Sequence, residues 1–288
     1  MSRDIIEPPG FFLWRKNLIV NKISGNLPSA SWKTIFKNLP PPYFTTYNSF
    51  DPIKVESDYS ETENGLVLWN TIFGKFWGYE SEKEFVQIMT FEQNDNIYQQ
   101  GPVKIKNGDV VIDVGGFLGV FTRIGIDRGA SKVVVIEPEQ GNIKCLKKTF
   151  ATEINSGQVI LIDSAVWSKK GELEFTGKSA VFHVKSKLEQ DKATIRIPAT
   201  TIDAIAEDLG LNHVDFIKMD IEGFELPVLQ SMGEVISIKK PKLAICVYHK
   251  PQDIVDIPLY LNRICPAYKL YLRHHTNWVF ETVLYAVA

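Results

Sequence analysis

Val110-Val-Ile-Asp-Val-Gly-Gly-Phe-Leu-Gly119 decides the fold. The apolar, mostly β-branched run from Val110 to Val114 reads as a strand buried on both faces. Three glycines within the next five residues end it, and Val120 to Arg128 reads as a short helix. Glycines between a strand and a helix let backbone approach a ligand closely, and the helix start offers unpaired amides to polar or anionic groups. A ligand is expected at this carboxyl end of the strand.

Outward from the loop the same alternation continues. Lys132 to Ile136 repeats the strand signature, Asn142 to Ile154 carries Ile143, Leu146, Lys147 and Phe150 at helical spacing, and Val159 to Ile162 supplies a third strand. Val214 to Met219, a helix around Glu225 to Met232, and Leu243 to Val247 follow. Such alternation gives right-handed crossovers and a mainly parallel sheet covered on both sides. Tyr268 to Leu272 and Thr282 to Ala286 are expected to pair as an antiparallel C-terminal edge. The expected fold is α/β and Rossmann-like, with its domain over residues 96–288.

Residues 1–95 have another texture, with Pro8, Pro9, Pro28 and Pro40 to Pro42 among aromatics such as Trp14, Trp32, Trp69 and Trp77. Proline at that density blocks long helices and breaks ladders, so an irregular N-terminal extension is expected. Its aromatics call for burial against the domain or a twin subunit. A lid over the site or a homodimer contact are the sharper roles for it.

At 288 residues and 44% hydrophobic content the chain can bury one full core with length to spare. A formal net charge of -2 argues against nucleic acid as a partner, because phosphate backbones favour clearly basic domains. Cys145, Cys246 and Cys265 are far apart and odd in number, which suggests neither a disulfide framework nor a zinc pair. Met1 to Gly10 carries Asp4, Glu7 and two prolines where a secretory signal would be basic and then apolar. No stretch approaches the roughly 20 apolar residues that a membrane span needs. A soluble, cytoplasmic protein is expected.

A dinucleotide fingerprint would place glycines at its first, third and sixth positions, and counting from Gly115 the third position is Phe117. That weakens an NAD site. Asp113, two places before the glycines, suits a cationic amino group, which points to S-adenosylmethionine with S-adenosylhomocysteine as product. The second strand ends in Ile136-Glu137-Pro138, 18 residues beyond Gly119. An acid there can accept both ribose hydroxyls of an adenosine-containing cofactor. Ile162-Asp163-Ser164-Ala165, after the third strand, is placed to meet an adenine edge.

The stretches VIDVGGFLGVFT, VVVIEPEQ, IDSAVWSKKGELEF, TIDAI, VDFIKMDIEGFELPVL and LAICVYHKP occur in the order seen in FkbM-family methyltransferases. The resemblance covers about residues 97–288, and its most specific piece runs from Asp215 to Glu225. It implies a class I methyltransferase sheet, S-adenosylmethionine, and O-methylation of natural products or sugars. Gly116 stands where the family more often has alanine. The expected cofactor contacts are Tyr98, Asp113, Gly115, Gly116, Phe117, Gly119, Glu137, Pro138, Asp163, Ser164, Ala165 and Asp220.

Asp220 and Glu222 stand two apart at the end of a buried strand and share a side if strand geometry persists. Helix N-capping by either is the plainer account. The next strand delivers His249 beside Asp220, where a histidine can take a proton from an alcohol. The expected catalytic residues are His249, Asp220 and Glu222, and the same three could instead hold magnesium, manganese or zinc. Arg273, His274 and His275 could line the pocket of a small-molecule acceptor. An NAD-dependent oxidoreductase and a non-catalytic cofactor-binding module are the competing functions.

Overall fold

The computed structural model describes residues 59–176, 183–184, 194–275 and 281–288. The proline clusters up to Pro42, together with Trp14 and Trp32, lie outside the described residues. Between Pro52 and Pro102 there is no proline, and from Tyr59, where the described residues begin, the chain is regular. Strands β1 (Tyr59–Glu63) and β2 (Leu66–Thr71) are joined through Asn64 and Gly65, both at positive φ. Asn-Gly is the pair that a two-residue hairpin favours. β3 (Gly74–Gly78) completes an antiparallel three-stranded sheet, and helix α1 (Lys83–Asn94) follows. Trp69 and Trp77 are buried with Val86, Leu118 and Cys145, so these aromatics pack within their own chain.

The domain proper starts with β4 (Val110–Val114), α2 (Val120–Asp127) and β5 (Lys132–Glu137). The long helix expected next is two, α3 (Gln140–Thr149) and α4 (Ala151–Asn155). The break falls at Phe150, whose ring lies 2.3 Å from where a Cβ on Gly119 would stand. Glycine at φ +87 leaves the space that this fully buried ring fills. Trp77 N–H donates to Thr149 Oγ1 at 3.0 Å, which ties the N-terminal sheet to α3.

β6 (Val159–Asp163) is followed by a small sheet of β7 (Ala165–Val166), β8 (Gly171–Thr176), β9 (His183–Val184) and β10 (Ile195–Thr200). Next come α5 (Ile202–Asp208), capped by Thr201 Oγ1 on Ala204 N–H, then β11 (Phe216–Met219) and α6 (Glu225–Leu229). β12 (Lys242–Cys246) precedes α7 (Asp253–Ile264), a helix that Pro258 in its interior hides from a pattern reading. β13 (Lys269–His274) and β14 (Thr282–Val287) close the chain.

The main sheet has seven strands in the order β13-β14-β12-β11-β4-β5-β6. All pairings from β12 to β6 are parallel, and β14 runs against both of its neighbours. The reversed strand therefore lies one place in from the edge. Val111, Ile112, Val133, Val134, Phe216 and Ile217 have no exposed surface, as expected where helices cover both faces. From β4 the chain builds outward through β5 and β6, then returns to place β11 on the other side of β4. That reversal is the switch point at which open α/β sheets take ligands. Among the described residues no helix is long and apolar enough to cross a membrane.

Candidate active site

The switch point brings the glycine loop against the end of β11. Gly115 has φ +81, and a Cβ on it would lie 2.1 Å from the Asp220 carbonyl oxygen. The loop is tied sideways to β5, since the amides of Gly115 and Gly116 donate to Ile136 O at 3.0 and 3.2 Å. Phe117, at φ 48, donates its N–H to Glu137 Oε2 at 2.9 Å. Glu137 Oε1 accepts from Glu139 N at 3.0 Å and from Asn142 Nδ2 at 3.1 Å. Burial raises the Glu137 pKa against these hydrogen bonds, which favour the anion. Pro138 follows half-buried, and Asp163 Oδ1 accepts from Gln140 Nε2 at 2.6 Å. Ser164 is buried, and Ala165 packs into the core of the small sheet. The methyl of Ala165 is thus packed inside the protein.

Asp113 does not face outward as an acid for a cationic ligand would. It has no exposed surface; Thr122 Oγ1 donates to its Oδ2 at 2.7 Å, and Lys218 Nζ lies 3.2 Å from its Oδ1. Lys218 also donates to Gly115 O at 2.6 Å. Burial opposes the charge on Lys218, but Asp113 and Asp220 outweigh it and hold its pKa above the ordinary value. The pair props the loop from beneath. Lys218→Met leaves the Asp113 charge buried alone, at a cost of about 3–5 kcal/mol. The expected result is a melting temperature lower by roughly 6–20 °C. An unchanged melting curve would show that the pair does not brace the fold.

Asp220 lies just past β11, with Tyr98 OH donating to its Oδ2 at 2.7 Å. The turn that follows is not strand-like, because Glu222 and Gly223 have φ 56 and 87. The two acids nevertheless flank one ring: His249 Nε2 lies 3.4 Å from Asp220 Oδ1 and 3.9 Å from Glu222 Oε2. Glu222 is half-exposed at the rim. The closest partner of the ring is Glu225, which the sequence reading placed only as a helix start. Glu225 is fully buried; its Oε1 lies 3.0 Å from His249 Nδ1 and accepts from Ile221 N at 2.9 Å. That bond helps secure the turn.

Burial favours a neutral His249, yet Glu225, Asp220 and Glu222 outweigh it and bring its pKa up to about 9. Burial likewise disfavours the Asp220 anion, but the charges of His249 and Lys218 and the Tyr98 hydrogen bond hold its pKa below the ordinary value. The raised pKa favours an imidazolium among the carboxylates of Glu225, Asp220 and Glu222. Ligand atoms of Asp220, Glu225 and His249 lie within 4.8 Å of one another, so these residues, with Glu225 replacing Glu222, could hold a cation. Arg273 bonds Gln100, His274 Nδ1 lies 2.8 Å from Thr282 Oγ1, and His275 Nε2 lies 2.6 Å from Tyr285 OH. All three are engaged with neighbouring side chains.

The family model "Methyltransferase FkbM domain" matches residues 113–269, more than half of the chain. The chain is similar in structure to the methyltransferase FkbM from Methylobacillus flagellatus KT, at 23% identity and a TM-score of 0.51 over 71% of this chain and 53% of that one. It therefore spans about half the length of that protein, and at this identity the likeness shows the fold alone. M. jannaschii TYW2 in complex with AdoMet matches at 14% identity and a TM-score of 0.43, over 79% of this chain and 86% of that one. No curated protein matches the chain. With the family model spanning the glycine loop, the Asp220 turn and His249 on this sheet, the chain belongs to the FkbM methyltransferase domain family.

Proposed function

We propose that the chain is an S-adenosylmethionine-dependent methyltransferase acting on a hydroxyl of a small molecule, a natural product or a sugar. The observation that carries this reading is the meeting of the Gly115 loop with Asp220 at the switch point, where a side chain on residue 115 would meet backbone. The glycine loop gives the cofactor a backbone surface, and Glu137 holds an acid at the neighbouring strand tip. A carboxylate has about four acceptor sites, and protein donors take three at Glu137. Capacity for a ribose hydroxyl remains. S-adenosylmethionine, when bound, supplies a methyl group already activated on a sulfonium.

The residues of the chain then align the reactants and move a proton. Alignment can contribute about 7–11 kcal/mol, and a general base about a hundred- to ten-thousandfold in rate. In its neutral form, whose share grows as pH climbs toward about 9, His249 takes the hydroxyl proton at Nε2, while Glu225 fixes the ring through Nδ1 and Asp220 steadies the cationic ring. Tyr98 holds Asp220 in place. The small net negative charge suits a compact acceptor rather than a phosphate backbone.

Glu137→Ala tests where the cofactor sits. Calorimetric affinity for S-adenosylhomocysteine should fall by about 1.5–3 kcal/mol, the range for hydrogen bonds involving a charged group. Affinity equal to that of the unaltered protein would mean that the ribose lies elsewhere.

A further inference from the structure

We propose that a pocket between the β1–β2 hairpin and helix α3 binds the phosphate group of a small phosphorylated molecule. This site does not depend on the cofactor reading above. The pocket has a volume of about 500 Å³ and is lined by Asn64, Leu66, Tyr79, Lys144, Lys147 and Lys148. That volume is ordinary for a site that takes a small molecule. No acid is among the described residues that line it. Over the whole chain acids outnumber lysine and arginine, 34 to 32, so three lysines around one hollow reverse the local balance.

Lys147 and Lys148 follow Lys144 by three and four residues on α3, so the three share one stripe of the helix. Like charges at that spacing repel, and an anion among them removes the repulsion. Lys147 and Lys148 lie in the last turn, where the helix dipole favours cations without any ligand. That reason does not reach Lys144, and it builds no facing wall. The wall is the hairpin, where Asn64 makes the turn at φ 51 and Leu66 is buried. Lys148 is fixed beside it, paired with Glu63 while its Nζ lies 4.0 Å over the Trp77 ring. Lys144 and Lys147 have no acidic partner among the described residues, which leaves two positive charges at the pocket unanswered. A phosphate monoester carries close to two negative charges at neutral pH and matches them, whereas a carboxylate matches one. Asn64 and Tyr79 add neutral donors. Leu66 and the lysine stems give apolar cover to the organic body that carries the phosphate.

The test is calorimetry on the full chain at constant ionic strength, with inorganic phosphate, D-glucose 6-phosphate and D-glucose as probes. Both phosphates should bind, the ester at least as tightly as the ion, and glucose should not. Lys144→Gln combined with Lys147→Gln should weaken both phosphates about tenfold or more, the scale on which lost charges act at a partly screened site. Lys169→Gln combined with Lys170→Gln removes the same charge from an exposed pair outside the pocket. That control should keep both affinities within about twofold, since exposed charges at a distance are screened. Circular dichroism checks that both double variants are folded. Equal weakening by the two pairs would reduce the effect to net charge and overturn the pocket. Failure of both phosphates to bind, or binding that the Lys144 and Lys147 variant leaves intact, would overturn it too. Inorganic phosphate bound more tightly than the ester would overturn the organic body. A nucleic acid is the other carrier of phosphate groups. A single-stranded RNA oligonucleotide that binds through Lys144 and Lys147, while glucose 6-phosphate does not bind, would overturn the assignment to a small molecule.

Discussion

Gly115→Val is expected to abolish cofactor binding, a loss of more than about a hundredfold in calorimetry, because the new atoms collide with backbone and the φ is one that branched residues avoid. The first atom added would stand 2.1 Å from the Asp220 carbonyl, and Ile221 lies just behind it at 3.2 Å. A flexible side chain could swing away, whereas this carbonyl belongs to the turn that carries Asp220. The substitution therefore strikes the glycine loop and the Asp220 turn together. Circular dichroism on the variant separates a lost site from a lost fold. A folded Gly115→Val protein with intact affinity would show that the ligand does not meet this loop.

His249→Ala is expected to leave cofactor affinity almost unchanged and to lower turnover on the true acceptor by about a hundredfold or more. The pH dependence has a definite sign. With its pKa at about 9, His249 is charged at neutral pH and becomes a base only as the pH climbs. Activity should rise with pH and level off above about 9, and that limb should vanish in the variant. Glu225→Gln removes the nearest anion and should move the limb to lower pH. The same shift bears on stability. A pKa raised above the ordinary 6.5 stabilises the fold fully below that pH, and the gain is lost as pH rises through about 9. Turnover that a chelator removes and manganese restores would instead assign Asp220, Glu225 and His249 to a cation.

The parallel core of the fold was legible because its strands are buried on both faces, so their apolar runs carry the signal without context. Two kinds of element were not. α7 carries Pro258 in its interior, and the split between α3 and α4 depends on Phe150 filling the space under Gly119, a contact 31 residues away in sequence. The meeting of Asp220 and His249 could be read because each follows a recognisable strand, and Glu137 ends one. Asp113 was read as facing a ligand because spacing gives the neighbourhood of an acid and not its partner; Lys218, on the adjacent strand, turns it inward. Glu225 was visible in Asp-Ile-Glu-Gly-Phe-Glu, but its role depends on a turn with two consecutive residues at positive φ. That turn folds Glu225 back onto Ile221 and His249, and no periodic pattern encodes it.

Titration calorimetry of the unaltered chain against S-adenosylmethionine, S-adenosylhomocysteine and NAD tests the central claim most directly. The account predicts binding of both sulfur nucleosides with dissociation constants on the order of micromolar, about -8 kcal/mol, and no binding of NAD. Absence of heat with either sulfur nucleoside, together with clear binding of NAD, would contradict it.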